Sequence, residues 1–151
     1  VLRELQSRIG KGTGVEIPPK VFRHLGAEII AYEKNRRLRV RMAVPEWTAN
    51  PLGMMQGGMI AAAFDNAFGP FSYLVARGPC TTLTLDTVFI RPLFAGEEAL
   101  TVEATLLART RTQVFLEGKA WNGAGKLAAT ALSTLAVLPK FGKGEQASPS
   151  D

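Results

Sequence analysis

Two hydrophobic periods divide the chain. Leu2, Leu5 and Ile9 recur at helical spacing, and Pro18-Pro19 opens a second short helical run through Val21, Phe22 and Leu25 that Gly26 ends. From Ala27 the period becomes two. Leu38, Val40, Met42 and Val44 alternate with Arg39, Arg41 and Ala43, and Lys34-Asn35-Arg36-Arg37 turns the chain out of the preceding run, which predicts a β-hairpin. A breaker-rich loop over 45–53 then leads into residues 57–76, apolar on nearly every side (Met59, Ile60, Phe64, Phe68, Phe71, Leu74, Val75). A helix without a polar face is a buried helix. Gly69-Pro70 inside it predicts a kink or a division, because proline lacks a donor and clashes with the carbonyl four residues back.

Four further strands are expected at roughly 81–92, 97–110, 112–121 and 126–138. Leu83, Leu85 and Phe89 fall on one face, Leu100, Val102, Ala104 and Leu106 on another; Asn122-Gly123 marks a tight hairpin and Phe94-Ala95-Gly96 a looser turn. Connections this short imply antiparallel neighbours. The order α-β-β-α-β-β-β-β predicts an α+β fold, one antiparallel sheet of about six strands wrapped around a long central helix. Residues 1–26 read as an N-terminal helical segment, 27–139 as the main domain, and the polar, Gly-rich stretch 140–151 as a disordered tail.

With 151 residues, 46% hydrophobic and 21% charged, the chain has material for one domain with a real core. Its net charge of +5 is spread along the sequence without an aromatic-interleaved RNA motif or zinc-ligand spacing, so no nucleic-acid partner is expected. Cys80 is the single cysteine, which rules out an internal disulfide and suits a buried position in a reducing compartment. No basic stretch precedes an apolar run at the start, and the longest apolar tract, 59–76, carries Asp65, Asn66, Gly69 and Pro70. A cytoplasmic protein without a membrane partner is expected. The lone histidine, His24, falls at the end of a short helix as a surface or cap residue, which argues against a Ser-His-Asp hydrolase and a His-ligated metal; no metal is expected.

The chemistry concentrates in residues 50–65. Backbone amides at a helix start lack intrahelical partners and lie at the positive end of the dipole, so Gly57 and Gly58 can hold a carbonyl oxygen as it becomes anionic, or can simply permit a tight turn. Asp65, set in apolar surroundings, reads as a buried base or nucleophile, or as a carboxylate bonding local backbone or arginine. Asp65 follows Gly57 by about 12 Å of helical rise. If both act on one carbonyl, Asp65 must come from a second copy of the chain, with two such helices antiparallel across a two-fold axis. Asn50 can donate its side-chain amide to that carbonyl or form an Asx turn before Pro51. Met54, Met55, Phe64, Phe68 and Phe71 can line an acyl channel or fill the core.

The residues Asn50…Gly53-Met-Met-Gln-Gly-Gly58…Asp65, with Phe89-Ile-Arg-Pro92…Gly96 and Gly125-Lys-Leu-Ala128, resemble the PaaI-like acyl-CoA thioesterases of the hotdog fold over roughly residues 27–138. The resemblance implies acyl-CoA as substrate, with coenzyme A part of it and no separate cofactor. It also implies a homodimer or dimer of dimers, in which Asn50 and Gly57 of one protomer face Asp65 of its mate. Thr82 falls where relatives place a hydroxyl that positions the carboxylate or water, although strand propensity also favours threonine there. Arg109, Arg111 and Thr112 fall where relatives contact the pantetheine or phosphates of CoA; a solvated hairpin end is the alternative. Gln56 departs from the family's His-Gly-Gly: it can hydrogen-bond but cannot transfer a proton, which also keeps open a non-catalytic acyl-CoA-binding protein.

Overall fold

The computed structural model describes residues 1–10, 15–96 and 99–139. The expected tail, 140–151, and the first two residues of the strand expected from 97 lie outside them. The N-terminal segment contributes α1 (Leu2–Leu5), a π-helical turn (Gln6–Gly10) and α2 (Lys20–His24). Gly26, at φ +56°, takes the left-handed turn that ends the α2 region. Strands β1 (Glu28–Glu33) and β2 (Arg37–Ala43) form the expected hairpin, and α3 (Gly57–Ala76) follows. Four strands complete the chain: β3 (Cys80–Phe89), β4 (Ala99–Arg109), β5 (Gln113–Trp121) and β6 (Leu127–Val137).

The six strands form one antiparallel sheet in the order β1-β2-β4-β5-β6-β3, with β3 on an edge. The sheet wraps around α3 in the hotdog arrangement. Leu38, Val40 and Met42 of β2, Leu100, Val102 and Ala104 of β4, and Val114 and Leu116 of β5 point inward and are buried with Phe64, Phe68 and Phe71 of the helix. Outward, Arg39 pairs with Glu103 at 2.6 Å and lies 5.7 Å over the Trp121 ring, while Arg37 pairs with Glu33 and Glu103, so part of the basic surplus is neutralised on the sheet's outer face.

Helix and sheet approach closely at Gly118 of β5. A Cβ there meets Phe68 at 2.6 Å and Phe64 at 2.7 Å, so only a residue without a side chain lets the two stacked rings, 5.9 Å apart, sit against the strand. Phe64, Phe68 and Phe71 are core, fully buried, and Met55 is buried in the same cluster; the acyl-channel alternative does not hold for these four residues.

Three further expectations change. Pro70 lies inside a helix that runs unbroken to Ala76, so the Gly69-Pro70 pair does not divide it. Ser72 Oγ donates to the Gly69 carbonyl at 2.8 Å, satisfying backbone near the proline. The β5–β6 turn is wider than a two-residue hairpin: Asn122 Oδ1 accepts the amides of Ala124 and Lys126, and Gly125 rather than Gly123 has positive φ, at +76°. Leu83 does not share a face with Leu85 and Phe89, because a bulge between Thr82 and Thr84 places two residues opposite Thr134 and leaves Leu83 exposed.

Gly118→Ala is expected to destabilise the protein by about 2–3 kcal/mol through overpacking, a fall in melting temperature of about 5–10 °C. Thermal unfolding followed by circular dichroism checks this, and an unchanged midpoint would mean that the rings can retreat.

Candidate active site

The loop before α3 is fixed from both sides. Asn50 Oδ1 accepts the amides of Leu52 (2.9 Å) and Met54 (3.1 Å), which is the Asx turn, and Gly53 takes φ +77° at its end. Met55 N donates to the Leu93 carbonyl at 2.7 Å and Ala95 N to the Gly53 carbonyl at 3.0 Å, tying the loop to the segment after β3. The turn uses only the oxygen of the Asn50 amide. Its Nδ2 has no bonding partner among the described residues and is held by the turn for a further acceptor.

Gln56 caps α3 through its backbone: its carbonyl accepts Met59 N at 2.8 Å and Ile60 N at 3.2 Å, and its own amide donates to the Thr48 carbonyl at 2.8 Å. The Gln56 side chain makes no capping bond and is exposed. The amides of Gly57 and Gly58 therefore begin a 20-residue helix without intrahelical acceptors. Glycine at 57 also has a packing reason, since a Cβ there lies 3.1 Å from the Phe89 ring, which covers the helix start. Gly58 faces open space.

Asp65 is exposed, contrary to the buried position expected from its apolar neighbours. Asp65 lies at the margin of the covered side of α3, against the edge strand β3 and open to solvent. Thr82 Oγ1 donates to Asp65 Oδ1 at 2.8 Å, leaving Oδ2 available. The bulge makes this contact possible. Thr82, Leu85, Thr87 and Phe89 stand opposite Leu135, Ser133, Ala131 and Ala129, and without the extra residue at 83 Thr82 would point away from the helix. β3 thus runs back along α3, with Thr82 against Asp65 and Phe89 against Gly57. Sequence reasoning assigned no role to Phe89 as a cover of the helix start, or to Thr87, whose buried Oγ1 is the one side-chain polar atom of its kind without a partner among the described residues. The Thr82-to-Phe89 face becomes legible only once the bulge is known.

Arg109, Arg111 and Thr112 are remote from the start of α3. Arg109 Nη1 donates to the Val75 carbonyl at 2.6 Å and Nη2 to the Ala76 carbonyl at 3.3 Å, so this guanidinium caps the negative end of α3. Arg111 and Thr112 form the exposed tip of the β4–β5 hairpin, which Thr110 closes by accepting the amides of Thr112 and Gln113. His24 is exposed at the end of α2. Burial raises the pKa of the Cys80 thiol, which lies 3.8 Å from the Gly78 carbonyl and is a poor nucleophile as a result. Among the described residues, no three His, Cys, Asp or Glu side chains come together as a metal site, and no helix is long and apolar enough to cross a membrane.

One antiparallel sheet of six strands wrapped around a long helix defines the hotdog fold. The chain belongs to the thioesterase superfamily, whose family profile matches residues 52–129, and within it to the PaaI-like group. A phenylacetic acid degradation-related protein of Ralstonia eutropha JMP134 is 31% identical, with a TM-score of 0.73 over 83% of this chain and 94% of that one. The Escherichia coli PaaI protein from the phenylacetic acid degradation operon is 20% identical, with a TM-score of 0.75 over 82% and 87%. The smu.793 protein of Streptococcus mutans UA159, in a structure bound to acetyl CoA, is 19% identical, with a TM-score of 0.71 over 85% and 96%. No curated protein sequence matches the chain.

Arg109→Met separates capping from substrate contact. Loss of the two bonds to the α3 terminus is expected to cost about 1 kcal/mol, a fall of a few degrees in melting temperature, with KM for a thioester substrate changed by less than about two-fold. A large rise in KM at constant melting temperature would assign Arg109 to substrate instead.

Proposed function

We propose that the protein hydrolyses acyl-CoA thioesters at a site formed by two copies of the chain. The observation that carries this reading is the Thr82–Asp65 pair, exposed to solvent where the edge strand β3 meets α3. The unpaired Gly57 amide is about 12 Å of helical rise away. That separation is too great for one carbonyl within one chain, and two helices antiparallel across a two-fold axis remove it. β3 suits such pairing, as an edge strand with Leu83, Val88 and Phe89 exposed.

In this scheme the thioester oxygen lies on the Gly57 amide, with the Asn50 Nδ2 group as second donor and Gly58 beside it. Thr82 orients Asp65 of the other protomer. The carboxylate either takes a proton from water, whose hydroxide adds to the carbonyl carbon, or attacks that carbon itself to form a mixed anhydride that water then opens. In both routes the oxyanion collapses with cleavage of the C–S bond, and the CoA thiolate leaves and is protonated. Gln56 contributes hydrogen bonding only, as an amide carries no transferable proton. Arg111 and Thr112, at a hairpin tip open to solvent, are the groups left for a phosphate or the pantetheine, since Arg109 is engaged with α3. Coenzyme A enters as part of the substrate and no other cofactor takes part. The S. mutans neighbour with acetyl CoA bound supports the choice of thioester. The reading assigns the enzyme to the cytoplasm, where a lone cysteine stays reduced.

Asp65→Asn keeps an acceptor for Thr82 and removes the base or nucleophile. Thiol release from acyl-CoA is expected to fall by about a thousand-fold or more, with CoA affinity and oligomer size unchanged. Undiminished hydrolysis by this variant contradicts the proposal, and so does a wild-type protein that binds acyl-CoA saturably and releases no thiol.

A further inference from the structure

The side of α3 left bare by the sheet is partly roofed by residues from the N-terminal segment. Leu5 and Ile9 pack against Leu74 near the end of the helix. Nearer Asp65 the two layers separate and leave a cavity of about 280 Å³ that is partly open to solvent. Pro18, Val21 and Phe22 wall one side, and Gly69, Pro70 and Tyr73 the other, with Asp65 and Asn66 in the same lining. Asp65, Asn66, Gly69, Pro70 and Tyr73 form a single stripe of the helix. The space exists because glycine and proline occupy its middle: a Cβ on Gly69 meets nothing within 4 Å. The polar groups on this stripe are few. Asn66 Nδ2 is bonded to the Ala62 carbonyl at 2.7 Å, and burial raises the pKa of the Tyr73 phenol, keeping it neutral.

We propose that this cavity receives the acyl group of the substrate and selects uncharged acyl groups of medium length, about six to nine carbons, straight or ending in a ring. The inference rests on the acyl-CoA hydrolase reading, with Asp65 at the reacting carbonyl. An acyl chain extending from a carbon in contact with Asp65 enters a space whose lining includes that carboxylate and Glu16, which pairs with Arg23, and is otherwise mostly apolar. Taking about 30 Å³ for each water-sized group, the volume holds about nine. Acetyl leaves it nearly empty, and each further methylene buried in it raises specificity by about four-fold. The N-terminal wall lies outside the matched residues 52–129 and the helix wall within them, so the cavity is formed jointly by the N-terminal segment and α3.

The test is kcat/KM for a series of acyl-CoAs from acetyl to palmitoyl, with phenylacetyl-CoA, on the wild type, Gly69→Ala and Gly69→Leu. A Cβ at 69 meets nothing within 4 Å, and both alanine and leucine favour helix more than glycine does. The wild type is expected to peak between hexanoyl and decanoyl, with octanoyl preferred over butyryl by on the order of a hundred-fold. Gly69→Leu lowers that octanoyl-to-butyryl ratio at least about ten-fold, and Gly69→Ala lowers it less. A ratio unchanged in both folded variants, or a wild-type optimum at acetyl or palmitoyl, overturns the acyl-pocket inference while leaving the hydrolase reading intact. Absence of thiol release from every substrate by the wild type overturns the hydrolase reading and this inference with it.

Discussion

The structure depends on the close seating of α3 against the sheet at Gly118. Phe64 and Phe68 occupy the space a side chain would take, and their burial fixes the rotation of the helix about its axis. With that rotation set, Gly69, Pro70 and Tyr73 turn toward the N-terminal segment, and Asp65 lies between that segment and β3. The helix is therefore buried on one side only, although its sequence is apolar almost all round. The rest of its apolar surface must find cover from elsewhere. The N-terminal segment supplies some, and under the proposed scheme a second copy supplies the rest.

The edge strand β3 turns this placement into a site. Its bulge after Thr82 changes which residues face the helix, so one strand presents a hydroxyl to Asp65 and, several residues later, an aromatic ring to Gly57. Asn50 shows a similar economy of parts. Its oxygen builds the turn before α3, and the turn leaves its amide nitrogen available for the donor role proposed above. Arg109 shows the opposite case, a guanidinium whose bonds to Val75 and Ala76 give it work within the fold.

Much of this was legible in the sequence because periodicity reports local geometry. The alternation of Leu38, Val40 and Met42 with arginines, and the apolar run from Met59, predicted the elements that form. What was not legible depends on contacts distant in sequence. Asp65 read as buried because its neighbours are apolar, but its exposure is set by the fit of Phe64 and Phe68 against a glycine on another strand. Leu83 read as sharing a face with Leu85 because a bulge is visible only when the partner strand's residues are counted. The capping role of Arg109 required knowing that the end of β4 meets the end of α3. The cavity beside Asp65 was hidden for the same reason, since its walls come from residues near 20 and near 70.

The central claim, that one carbonyl is served by Gly57 of one chain and Asp65 of another, is tested most directly by subunit complementation. Asp65→Asn and Gly57→Val chains, each expected to be inactive alone, are co-expressed so that mixed dimers form. Every mixed dimer then contains one site with both groups intact, and random assortment restores about a quarter of wild-type thioesterase activity. No recovery in a preparation shown to contain mixed dimers would contradict the account, because it would place both groups of each working site on the same chain.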